Sequence, residues 1–113
     1  MVRVTPEKTI AITLADITRR EVNLYAAYSP LATMYRVVDE EQQIYAVIII
    51  EDDPEQRPAW VVVMARVLGD CIVILEDRTD KPLVDALMIN GGVPRDKIVL
   101  AYRGESLPDS KSK

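Results

Sequence analysis

The chain has 113 residues, 49% hydrophobic and 28% charged, which suits one globular core and is too short for two. Its net charge of −4 lacks the basic footprint of a protein that grips nucleic acid by itself. With no histidine and one cysteine, Cys71, the composition excludes Ser-His-Asp and Cys-His catalysis, histidine-ligated metals, an intrachain disulfide and a thiolate zinc cluster.

In chain order, Thr5-Pro6-Glu7 reads as a helix start, with Thr as the cap, Pro at the first helical position and an acid in the first turn. Ile10, Leu14, Ile17, Leu24 and Tyr28 then fall near one face of a 3.6-residue period. Arg19, Arg20 and Asn23 lie off that stripe. The helix is expected to stop near Ser29, because Pro30 pushes its predecessor out of the helical region. Four strand-like runs follow. They are Met34–Val38, Ile44–Ile50, which is rich in β-branched residues, Trp60–Leu68, which is dense in Val, and Cys71–Leu75. Asp39-Glu40-Glu41-Gln42 and Gly69-Asp70 connect the first and last pairs as tight turns. A polar loop with two prolines, Glu51 to Pro58, joins the middle pair. Short connections favour an antiparallel meander. Thr79 or Asp80 is expected to cap a second helix with Pro82 in its first turn. Leu83, Val84, Leu87 and Met88 form its apolar face, and Asn90-Gly91-Gly92 ends it. Lys97–Tyr102 is the final strand.

The expected order is α-β-β-β-β-α-β, an α+β fold with a mainly antiparallel sheet and helices packed on it. Residues 1–105 form a single domain, and the polar residues 106–113 a disordered tail. A sheet with one wet face alternates apolar and polar residues. Ala46-Val47-Ile48-Ile49-Ile50 and Val61-Val62-Val63-Met64-Ala65 do not alternate. Two helices cover one face, so the other calls for a cover, which a partner or a second copy of the chain could supply. One helix on each face, or a curled sheet, is the competing arrangement. The N-terminus has no apolar signal segment. The longest aliphatic run, Ala46–Ile50, is far short of the roughly 20 residues that span a membrane. A single cysteine fits the reducing cytoplasm.

Three stretches resemble the XisI family of excision controlling factors. They are Val38-Asp39-Glu40-Glu41-Gln42-Gln43-Ile44-Tyr45, an acidic hairpin leading into a strand; Leu68 to Asp77, a tight hairpin with its following strand; and Thr79, Leu83–Leu87 and Gly92-Val93-Pro94-Arg95-Asp96-Lys97-Ile98-Val99-Leu100-Ala101-Tyr102, similar to the family's helix and Gly-Val-Pro signature. Together they span about 70 residues. The chain departs from the family at Ile72-Val73-Ile74, where a tryptophan is common, and at Arg103-Gly104, where a histidine often follows. The resemblance implies this same element order. It also implies a non-enzymatic accessory role in programmed excision of a DNA element, together with an XisH-like protein companion. It transfers no catalytic residue. An antitoxin-like inhibitor of a nuclease-like companion is the alternative role, and a small metal-dependent nuclease a third.

Each candidate site has a plainer explanation beside it. Glu51, Asp52, Asp53 and Glu55 carry oxygen ligands but match no calcium-loop spacing, so a solvated loop is expected. Glu76, Asp77, Asp80 and Lys81 contain the groups of a two-metal nuclease, yet a strand end and helix cap account for them. Cys71 has no cationic neighbour in sequence and reads as a structural thiol. Arg19 and Arg20 read as a solvated helix face. No cofactor, metal or catalytic residue is therefore assigned. Tyr102, Arg103 and Gly104, just past the last strand, are the expected partner contact, because Arg and Tyr concentrate at binding hot spots.

Overall fold

A side-chain cap decides where the first helix begins. In the computed structural model, which describes residues 12–26, 32–51, 55 and 58–107, Thr13 has extended backbone (φ −89°, ψ 168°) and accepts from the Asp16 N–H, while Asp16 accepts from the Thr13 N–H. This reciprocal capping box satisfies two orphan donors and opens helix α1, Leu14–Asn23. An extended Thr13 is incompatible with one unbroken helix from Pro6. The helix also stops before Tyr28, at Leu24. The expected start at Thr5 and stop at Ser29 lie outside the described residues.

Among the described residues, five strands form one sheet in the order β1-β2-β3-β4-β5. They are β1 (Ala32–Asp39), β2 (Ile44–Glu51), β3 (Ala59–Leu68), β4 (Cys71–Asp77) and β5 (Ile98–Leu100). The first four pair antiparallel, and β5 pairs parallel to β4. Helix α2 (Leu83–Ile89) makes that parallel crossover. The last strand is shorter than Lys97–Tyr102, because Arg95–Lys97 and Ala101–Arg103 are 3₁₀ turns on either side of it. Two register shifts interrupt the meander, one where Val62 is extra against β2 and one where Leu75 is extra against β3. Such bulges raise the local twist.

The cap of α2 is not Thr79 or Asp80. Pro82 occupies the cap position and offers no side-chain acceptor. Asp77 reaches forward from the end of β4 instead, accepting from the Leu83 N–H at 2.6 Å and the Thr79 N–H at 2.9 Å. The far end closes as the glycines predict. Gly92 takes φ +69°, and its N–H returns to the Met88 carbonyl, the bond of an αL helix end; the Val93 N–H reaches the Leu87 carbonyl.

Both helices lie on the same face of the sheet. Tyr45, Val47 and Ile49 of β2, Val63, Ala65 and Val67 of β3, Ile72 and Ile74 of β4, and Ile98 and Leu100 of β5 join Ala15, Val22, Leu83 and Leu87 in one buried cluster. Among the described residues, no helix lies on the opposite face. On the other face, a small second cluster of Cys71, Val73 and Val99 lies under Ala101 and Leu107. The C-terminal segment therefore covers the β4–β5 end of that face. No helix among the described residues is long and apolar enough to cross a membrane.

Candidate functional site

Cross-strand partners point to the same side of a sheet, so the register lays out the uncovered face as rows. Thr33, Ile50 and Ala59 form one row, Tyr35, Ile48 and Val61 the next, Val37, Ala46 and Met64 the third, and Asp39, Ile44 and Arg66 the fourth. Tyr35, Val37 and Ile50 are each about two-fifths exposed, at 39%, 41% and 40%. On these three strands the first three rows carry no charge, and the third continues on β4 to Glu76 beside Met64. The fourth holds Arg66 on β3 and Asp39 on β1, with Ile44 between them. Arg66 Nε is buried and has no hydrogen-bond partner. An unpaired buried donor costs about 1–3 kcal/mol. Asp39 Oδ1 accepts from the Gln42 N–H at 3.0 Å, which closes the β1–β2 turn and leaves the carboxylate exposed.

The helix side carries a different surface. Glu21 of α1 is 2% exposed. It accepts from Arg20 Nε at 3.0 Å and from Asn90 Nδ2 at 3.2 Å, and Arg20 also donates to the Asn90 carbonyl. These bonds tie the end of α1 to the end of α2. Gly91 allows the close approach, because a Cβ there would stand 2.6 Å from Ile17 Cγ2 and 2.7 Å from the Leu87 carbonyl oxygen. Beside this clamp a groove of ≈ 400 Å³ is lined by Asp80, Lys81, Pro82, Asp85, Ala86, Ile89 and Asn90. It continues past Glu21, Leu24 and Tyr25. Leu24 and Ile89 stand out of it, 68% and 79% exposed. Large apolar side chains so exposed at a groove suit an interaction surface.

The C-terminal turn is built, and its three predicted residues have different roles. Tyr102 packs against the main core, Arg103 is exposed over the Tyr102 ring at 5.9 Å, and Gly104 turns the chain at φ +94°. Glu105 secures the turn by accepting from the Leu100 N–H at 2.9 Å and from Arg95 at 2.8 Å. Those two bonds hold its carboxyl below the usual range, the backbone bond more than the arginine.

The other candidates have structural employment. Asp77 caps α2, and Glu76 pairs with Arg78 at 2.7 Å. Arg78 in turn lies over the Trp60 ring. Glu51 accepts from the Trp60 indole. Asp52 and Asp53 lie outside the described residues. Among those described, no three His, Cys, Asp or Glu side chains gather as a metal site. Arg19 is bound to Asp16 and to Glu40 at the β1–β2 turn, and the Glu40 bond raises its pKa further. Cys71 is buried, and Asp70 beside it is held ionised by Lys97 at 2.7 Å. Sequence reasoning missed Arg66. A lone arginine among β-branched residues was the available signal.

The fold and these surfaces define a small α+β protein whose sheet, among the described residues, is covered by helices on one side and left uncovered over three strands on the other. The sequence model of the XisI protein family matches residues 7–110, and the chain belongs to that family. Two solved structures share the fold. One is a XisI-like protein from Anabaena variabilis ATCC 29413, 20% identical, covering 85% of this chain and 87% of that one, with a TM-score of 0.68. The other is the fdxN element excision controlling factor XisI of the same organism, 20% identical, covering 96% and 97%, with a TM-score of 0.59. No curated protein matches the chain in sequence.

Proposed function

We propose that this chain is a non-catalytic accessory factor that binds an XisH-like protein companion and, through it, controls excision of a DNA element in the cytoplasm. The observation that carries this reading is the groove between the helix ends. Leu24 and Ile89 frame it as apolar anchors, and Asp80, Lys81 and Asp85 give it a polar rim. An apolar centre with a charged rim is the anatomy of a protein-binding patch. The family name and the excision-factor name of a solved relative supply the process. The structural roles of Asp77, Glu76, Glu51 and Glu21 support a binding role over a chemical one. Arg103, laid over Tyr102 beside the turn at Gly104, is the second proposed contact.

The test is co-expression with the XisH-like companion, followed by size-exclusion chromatography with light scattering and a plasmid excision assay. The wild-type chain is expected to form a stable complex and support excision. Ile89→Asp is expected to lose the complex while remaining folded. Arg103→Ala is expected to weaken it about tenfold, as a hot-spot arginine does. A complex unaffected by both substitutions would place the contact elsewhere. A companion nuclease silenced by the chain, with no excision, would replace this role with the inhibitor role.

A further inference from the structure

We infer that the bare face of the sheet is the seat of a second copy of this same chain, stacked face to face about a two-fold axis that runs along β2. Such an axis places β3 of each copy over β1 of the other, row against row. Met64 then meets Val37 of the second copy, Val61 meets Tyr35, and the Ala46–Ile48 stretch of β2 meets itself. In the fourth row the same rotation brings Arg66 over Asp39 of the second copy, twice. The face thus supplies its own complement, apolar opposite apolar and the unpartnered arginine opposite an exposed carboxylate.

Two further observations fit this occupant. Aligned sheet packing sets strand directions about 30° apart, which a two-fold axis along the middle of three strands produces by tilting each copy half that angle. Among the described residues, the C-terminal segment covers Cys71, Val73 and Val99, on β4 and β5, and none covers the three strands that the arrangement uses. Three strands about 4.8 Å apart and seven to eight residues long give a projected patch of about 350 Å². Side-chain relief enlarges this, but it stays below the roughly 800 Å² per partner of a standard interface. The dimer is therefore expected to be concentration-dependent. This surface is separate from the helix-side groove, so self-association and companion binding are tested independently.

The experiment uses the purified chain alone, by analytical ultracentrifugation over a concentration series, with circular dichroism confirming that each variant is folded. Wild-type chain is expected to pass from monomer to dimer. Arg66→Asp and Asp39→Arg each put like charges opposite one another at both symmetry-related positions of the fourth row, and each is expected to weaken the dimer about tenfold or more. Mixing the two variants pairs opposite charges at both positions, so heterodimers are expected to appear on mixing. A chain that stays monomeric throughout the series overturns the proposal. So does a dimer that ignores both charge changes, or two variants that fail to recover association when mixed. A folded, dimeric Met64→Lys variant would also contradict it, since that lysine would enter the apolar third row.

Discussion

The two faces of the sheet are built from nearly the same residue types and have opposite fates. On the helix side, Val47, Val63, Ile72 and Ile74 are almost wholly removed from water, together with Leu83 and Leu87. On the other side, Tyr35, Val37 and Ile50 keep about two-fifths of their surface. The difference does not lie in the strands, which are apolar in both directions. It lies in what the described residues bring to each face: two helices and a capped crossover on one, and a short C-terminal segment over β4 and β5 on the other. Burial on the first face drives folding. Apolar area left on the second is available for association.

Substitutions sharpen this comparison, beginning with the covered face. Leu87→Ala empties a fully buried position of α2 and is expected to cost about 3 kcal/mol, read by urea unfolding at fixed protein concentration. A loss under about 1 kcal/mol would mean that α2 is not part of the core. Gly91→Ala is expected to cost about 2 kcal/mol by overpacking, because its Cβ would collide with Ile17 Cγ2 and the backbone of Leu87. Asp77→Ala removes the acceptor for the Leu83 and Thr79 N–H groups. Its expected cost is about 1 kcal/mol, that of a lost helix cap, whereas Asp80→Ala should change little if the cap is where it stands. On the open face, Ile50→Ala is expected to shift the unfolding of the isolated monomer by about 0.5 kcal/mol or less. A large loss there would erase the distinction between the faces.

Acid offers a gentler probe. Asp16 is depressed first by the Thr13 N–H, Asp70 by Lys97, and Glu105 by the Leu100 N–H. A carboxyl whose folded pKa lies below its unfolded one contributes stability that is fully present above the unfolded value. That stability is lost as pH falls through the folded value. The unfolding midpoint is therefore expected to hold from neutral pH down to the usual carboxylate range and to fall below it. With all three replaced by their amides, this part of the acid loss should disappear.

Much of this architecture was legible in the residues. β-branched runs separated by turn residues placed four strands, Gly69-Asp70 marked its hairpin, and Asn90-Gly91-Gly92 marked the end of α2. Unbroken apolar runs in β2 and β3 marked strands apolar in both directions, and the described helices cover one of the two faces. What escaped the sequence depends on three-dimensional reach. Asp77 caps a helix that begins six residues later, so nearer Thr79 and Asp80 looked the better choices. Thr13 and Asp16 form a capping box inside what periodicity read as one continuous helix. The final strand was read too long because Ala101 and Tyr102 are apolar enough for a strand yet turn to carry Glu105 back to Leu100. Arg66 needed the register, since only cross-strand pairing shows that it shares a row with Asp39.

The most direct test of the contrast between the faces is the urea unfolding midpoint of the purified chain as a function of its own concentration. If the open face binds a second copy, the folded dimer is favoured by mass action and the midpoint rises with concentration. In Val37→Lys the midpoint should stay constant. A wild-type midpoint that is the same at every concentration would contradict the account.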